Sequence, residues 1–209
     1  MPDLLITGEA SAPTTMLLAH GSGVPMDSPF MTAFATFLAA RHYRVARFEF
    51  AYMAARRTGG GRRPPPRAEH LIDEFEAAVS ALGSAGRLIV GGKSLGGRVA
   101  SLAAQRLYDA GAIAGVLCLG YPFHPPKKLQ SLRTAHLETL TAPMLICQGE
   151  RDPFGTRAEV AGYALAEPIQ LHWIDDGDHD LAPRKASGLT AEDNQRAAVG
   201  AIAAWVDEL

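Results

Sequence analysis

The stretch Gly92-Lys93-Ser94-Leu95-Gly96 follows directly on the apolar run Leu88-Ile89-Val90. That run reads as a buried strand, and Leu95 and Val99 open an amphipathic helix behind it. Strand and helix are therefore joined by a very tight turn that carries a serine. Such a turn strains the serine backbone, and only small neighbours leave room for it; Gly92 and Gly96 supply that room. The Ser94 hydroxyl then stands clear of the sheet, where it can act as a nucleophile. In a chain with 21 glycines a G-x-S-x-G match also arises by chance, and the flanking strand and helix give it weight. A phosphate-binding P-loop could end in the same Gly92-Lys93-Ser94. It would need a glycine where Arg87 stands and a loop where Leu88-Ile89-Val90 reads as strand.

Along the chain, apolar runs of strand length alternate with helical periodicity. Strands are predicted at Thr15–Ala19, Arg44–Phe50, Arg87–Gly91, Ile113–Leu119, Pro143–Gln148 and Ile169–Ile174, with Leu4–Gly8 as a further edge strand. Several are nearly continuous in Val, Ile and Leu, as expected when helices cover both faces of a parallel sheet. One predicted helix opens at Ser28-Pro29 and carries Phe30, Phe34, Phe37 and Leu38. A second aligns Leu71, Phe75, Val79 and Leu82. A third starts with the capping box Thr156…Glu159, and the last runs from about Thr190 to Val206. This alternation specifies an α/β fold: an open, mainly parallel sheet with helices on both faces.

With 209 residues, 47% of them hydrophobic, the chain is expected to form a single domain over 1–209 with a full core. A net charge of −2 gives no global field for nucleic acid or an anionic membrane. The N-terminus does not read as a secretory signal, and no apolar segment approaches bilayer length. Cys118 and Cys147 each lie inside an apolar run and read as buried small hydrophobes. A cytoplasmic location is expected.

A serine nucleophile needs a base, and the base needs an orienting carboxylate. At the carboxyl ends of later strands these follow in the order Ser, acid, His. The run Met144–Gln148 leads into Gly149-Glu150-Arg151-Asp152, and Asp152 has the expected spacing, with Glu150 as nearest competitor. The last strand leads into Asp175-Asp176-Gly177-Asp178-His179-Asp180, which makes His179 the candidate base. The clustered aspartates fit no calcium loop, and no metal is expected. For the oxyanion, the N–H groups of Leu95 and of Ser22, in the turn His20-Gly21-Ser22-Gly23, are the candidate donors. A dinucleotide fingerprint at Gly21-x-Gly23 would need a third small residue at Met26, and Pro25 intrudes, so no cofactor is expected.

His20-Gly21-Ser22-Gly23, Gly91 to Arg98, Gly120 to Lys127 and Gly149 to Asp152 together resemble one subgroup of α/β hydrolases. It is the small, lidless, dienelactone-hydrolase-like set that includes a testis-expressed vertebrate protein and bacterial relatives. The resemblance runs from about Leu17 to Val206 and implies Ser94, Asp152 and His179 as the triad. Scaffold roles of some relatives keep a non-enzymatic reading open. Lys93 beside the nucleophile is unusual for an esterase; it either meets an anionic substrate or points away beneath the turn, and the second is expected.

Between Gly120 and Ala142 the leucines 129, 132, 137 and 140 fall at helical spacing, so one short helix on the body is predicted in place of a lid. A shallow site for small acyl groups follows. His20, Tyr121, Phe123 and His124 are candidate pocket residues; for Tyr121-Pro122 a simple chain turn is an equal alternative. The segment 56–67 reads as a mobile loop, or as a protein or anion contact through Arg56, Arg57, Arg62, Arg63 and Arg67. Three functions remain: a serine hydrolase on a small ester or thioester, an idle hydrolase fold used as a binding module, and an acyltransferase or perhydrolase on the same triad.

Overall fold

The computed structural model describes residues 3–61, 64–83 and 86–209. Four strands, β2 (Thr14–Ala19), β4 (Arg87–Lys93), β5 (Gly115–Leu119) and β6 (Met144–Gly149), are buried at almost every position. Continuous burial requires cover on both faces, and the alternation of side chains divides it. Leu17, Val90 and Ile146 point into one apolar layer with Phe75 and Val79 of α3 (Ile72–Leu82) and Val99 of α4 (Leu95–Asp109). Leu18, Ile89 and Leu145 point into the other, with Phe34 of α1 (Pro29–Ala39) and Ile202 and Trp205 of α6 (Ala191–Asp207). The remaining strands are β1 (Leu4–Thr7), β3 (Arg44–Phe48) and β7 (Ile169–Ile174).

The sheet order is β1-β3-β2-β4-β5-β6-β7, with β1 antiparallel to β3 and all other pairs parallel. The expected α/β architecture is present, including the edge strand. Order reverses at β2 and β4, so a crevice opens beyond their carboxyl ends, where such sheets hold their sites. Local signals behave as read. Ser28 caps α1 by accepting from Met31 N at 3.4 Å, and Thr156 forms its capping box with Glu159; the structure adds a second box, Thr190 with Asp193, at the start of α6.

Two segments differ from expectation. The leucines after Gly120 do not build a helix; only a 3-10 turn forms, at Ala135–Leu137. Leu137 and Leu140 are buried but Leu129 and Leu132 are 47% and 49% exposed. Turn bonds take the backbone amides instead: Lys128 N donates to Pro125 O, Ser131 N to Lys128 O and Arg133 N to Phe123 O. The Arg-rich segment is not all loop, because Arg56 and Arg57 close α2 (Ala51–Arg57). Arg62 and Arg63 lie outside the described residues. Among the described residues no helix is long and apolar enough to cross a membrane.

Candidate active site

Strand β4 ends at Lys93 and α4 starts at Leu95, which leaves Ser94 alone in the turn. Its backbone sits at φ 51° and ψ −109°, a conformation that costs a non-glycine residue about 1–3 kcal/mol. The turn is held from both sides. Ser94 N donates to Leu119 O at 3.1 Å, and Ser94 O accepts from Arg98 N at 3.0 Å. A Cβ at Gly92 or Gly96 would overlap the carbonyl oxygen of Ala19, so both glycines are required by the close approach of β2. Gly97 packs α4 on β5, where a Cβ would lie 2.8 Å from Cys118 Sγ.

His179 Nε2 lies 2.8 Å from Ser94 Oγ, and His179 Nδ1 lies 2.8 Å from Asp152 Oδ2. Asp152 is fully buried just past the end of β6. Its Oδ1 accepts from Phe154 N at 2.8 Å, and its Oδ2 accepts from Gln148 Nε2 at 2.9 Å. An acceptor-only carboxylate puts the imidazole proton on Nδ1, leaving Nε2 to accept from the serine hydroxyl. The Phe154 ring packs 4.3 Å, centroid to centroid, from the imidazole. Glu150, the competing acid, is turned away and pairs with Arg157 at 2.9 Å.

Gln148 was not a sequence candidate, yet it sets the acid. It is fully buried; its Oε1 accepts from Tyr121 N at 2.7 Å, and its Nε2 also donates to the carbonyls of Tyr121 and Gly155. With Oε1 taken by Tyr121 N, the amide is fixed in orientation, and its NH₂ faces Asp152 together with the two carbonyls. A lone glutamine closing an apolar strand was the available signal.

Lys93 turns beneath the elbow, as expected, and meets the loop that carries His179. Its ammonium donates to His179 O, lies 3.2 Å from Asp180 Oδ1, and stands 5.3 Å from the centre of the Phe30 ring. Burial lowers its pKa, with Asp180 and Asp152 opposing that. The other aspartates of this loop brace it: Asp178 Oδ1 accepts from Asp180 N and Ala182 N, and Asp176 pairs with Arg184 and Arg151. Among the described residues, no group of three or more His, Cys, Asp or Glu side chains is placed to hold a metal.

A serine in a strained strand–helix turn, hydrogen-bonded through an imidazole to a buried carboxylate, sits on this sheet at its switch point. Residues 12–207 match the family model described as an alpha/beta hydrolase domain. The chain belongs to the α/β hydrolase family. The fold is similar to a serine hydrolase without a lid from Xanthomonas campestris, at 17% identity over 99% of this chain and 88% of that one, TM-score 0.69. It is also similar to the esterase domain of a Rhodothermus marinus protein, at 18% identity over 98% and 90%, TM-score 0.67. A Coxiella burnetii serine hydrolase homologue matches at 16% identity over 94% and 88%, TM-score 0.65. At these identities the likeness speaks to the fold. The hydrolase is of the small, lidless kind.

The hydrolase opens a cavity of about 570 Å³ over Ser94, with Ser22, Leu95 and His179 also in its wall. Ser22 and Leu95 thus line the same cavity as the hydroxyl. The first N–H groups of α4 have no partner within the helix and are free to meet an anion there. Four expected pocket residues are not in the wall. His20 is fully buried, with Nδ1 2.6 Å from Gly21 O and Nε2 accepting from Phe50 N at 3.2 Å. It therefore pins the Gly21-Ser22 turn from below, and burial lowers its pKa. Tyr121 and Phe123 are fully buried and His124 nearly so. Gly120, at φ 68°, swings the chain so that Pro122 alone of this segment faces the cavity, while its neighbours enter the core. Of the Arg-rich segment, Arg57 is taken by Asp27 and Glu49 at 2.8 and 2.7 Å, and Arg56 lies over the Tyr52 ring. Arg67 lines the cavity.

Proposed function

We propose that this hydrolase cleaves a small carboxylic ester or thioester through an acyl-enzyme on Ser94. The observation that carries the reading is the unbroken line of two 2.8 Å hydrogen bonds from Ser94 Oγ through His179 to Asp152. Ser94 Oγ attacks the acyl carbon as His179 Nε2 takes its proton, while Asp152 holds the tautomer and stabilises the imidazolium. The N–H groups of Leu95 and Ser22 stabilise the oxyanion. Collapse expels the alcohol or thiol, which leaves with the proton from His179. Water, deprotonated by His179, then attacks the acyl-enzyme and frees the acid and Ser94. Oxyanion donors of this kind are worth about 10²–10³ in rate each. A cavity with no lid domain over it among the described residues favours small acyl groups.

A fluorophosphonate probe, followed by turnover of short-chain aryl esters and thioesters, tests the proposal. Labelling of Ser94 that disappears in S94A, with ester turnover lost in the same variant, is the expected result. Folded protein that neither labels nor cleaves any of the panel overturns it.

A further inference from the structure

The cavity wall over Ser94 is strongly cationic for a protein of net charge −2. Arg67, Arg98 and Arg133 face it, against the single carboxylate of Glu69. Arg98 lies in the first turn of α4, where its backbone N–H donates to Ser94 O at 3.0 Å, and it lines the same cavity as Ser94. Its Nη2 reaches Glu69 Oε1 at 2.5 Å, but among the described residues its buried Nε–H meets no acceptor. Arg133 is held by its backbone, which donates to Phe123 O and accepts from Tyr121 Oη at 3.0 Å. Among the described residues neither Arg133 nor Arg67 enters an ion pair. Burial lowers the Arg133 pKa, and the like charge of Arg98 lowers it further. Two half-buried guanidiniums thus face one wall with one exposed carboxylate between them. That arrangement gains most from a planar oxyanion accepting their forked N–H groups.

We infer that the substrate of Ser94 carries a second, oxyanionic group, a carboxylate or phosphate, seated on Arg133 and Arg98 in the wall of the cavity that holds Ser94. The inference rests on the serine-hydrolase reading. A half-ester of a short dicarboxylic acid suits this shared cavity, with the scissile carbonyl at Ser94 and the free carboxylate between the two guanidiniums. Glu69 competes for Arg98 in the empty site, and Arg67 adds charge at the rim.

The test compares mono-4-nitrophenyl glutarate with 4-nitrophenyl butyrate at low ionic strength. The charged ester should have the higher kcat/KM by about tenfold or more, mainly through KM, and the gap should shrink in added salt. R133Q should collapse the ratio, R133K should keep part of it, and E69Q should widen it by freeing Arg98. Calorimetry of glutarate and of inorganic phosphate with S94A reads binding without catalysis, and whichever anion binds more tightly identifies the oxyanion. Binding of either should be lost when R133Q is added. Cleavage of butyrate with no preference for the glutarate ester, or a ratio unmoved in R133Q and E69Q, overturns this inference alone. Failure to cleave either ester, with Ser94 unlabelled, overturns the hydrolase reading beneath it.

Discussion

Replacing Asp152 with asparagine changes one carboxylate oxygen to an amide nitrogen and leaves the volume nearly untouched. In the native protein both oxygens accept: Oδ1 from Phe154 N, Oδ2 from Gln148 Nε2 and from His179 Nδ1. Asparagine can satisfy only one side. If its oxygen stays at Phe154, its NH₂ faces the imidazole, which must then accept at Nδ1 and carry its proton on Nε2, pointing at Ser94. No base remains. If its oxygen takes the histidine side instead, the NH₂ faces the Phe154 N–H. A buried donor left without an acceptor costs about 1–3 kcal/mol. Gln148 cannot turn to rescue the first arrangement, because its Oε1 is committed to Tyr121 N at 2.7 Å and its Nε2 to two carbonyls. Either way the charge that stabilises the imidazolium is gone.

The expected loss for D152N is about 10³–10⁴ in kcat, and at 1.36 kcal/mol per decade this corresponds to about 4–5.5 kcal/mol of transition-state stabilisation. KM should change little, since Asp152 is absent from the cavity wall. Steady-state turnover of an aryl ester gives kcat and KM separately, and circular dichroism confirms the fold. A folded D152N that keeps more than about a tenth of kcat would refute the claim that this carboxylate sets the tautomer.

K93M removes the ammonium that holds His179 O and Asp180; kcat should fall about tenfold to a hundredfold with KM held, and an unchanged kcat would free the base loop from this anchor. G96A drives a Cβ into Ala19 O and should cost about 2–4 kcal/mol in urea unfolding or prevent folding. G200A, in α6 with nothing within 4 Å of the added carbon, should gain about 0.5–1 kcal/mol; equal effects at the two sites would refute the packing argument. Burial, then Arg98, lowers the pKa of His136 from 6.5 to about 4. Between those values the unfolded chain binds more protons, so stability is complete above 6.5 and falls with pH toward 4, by about 3 kcal/mol at most. Denaturation across that range should show a shallower slope in H136Q than in the parent.

How much of this could be read before any coordinates depended on how local each cause was. The elbow was legible because the strain at Ser94 and the glycines that permit it lie within five consecutive residues. Asp152 and His179 were legible because each follows directly on the end of an apolar strand. Tyr121, Phe123 and His124 occupy the same kind of position and were misread. What separates them is the positive φ of Gly120, which aims the chain into the core, and a glycine in sequence does not announce its φ. The leucines from 129 to 140 kept a helical spacing without a helix, since Arg133 N and its neighbours found partners in turns. Arg98 stands in the first turn of the helix that the elbow opens, but only the fold brings it into one cavity wall with Ser94, Arg67 and Arg133. Gln148 carried almost no signal, because its effect comes from three acceptors and one donor supplied by other loops.

The end of β4 ties these observations together. Side chains alternate across a strand, and the elbow continues that alternation by one residue, so Ser94 rises into the cavity while Lys93 turns beneath it. The hydroxyl receives the imidazole from above, and the ammonium grips the carbonyl of the same histidine from below. Nucleophile and base loop are thus referenced to one strand end, without depending on the 85-residue separation between them. Asp152 supplies the third fix through Nδ1, and Gln148 ties that acid back to β6. A slip of β4 against β5 would move the serine and the base anchor together, whereas a change confined to Lys93 would move the base alone. The triad geometry is therefore more sensitive to Lys93 than to the exposed Asp175, although that residue lies nearer to the histidine in sequence.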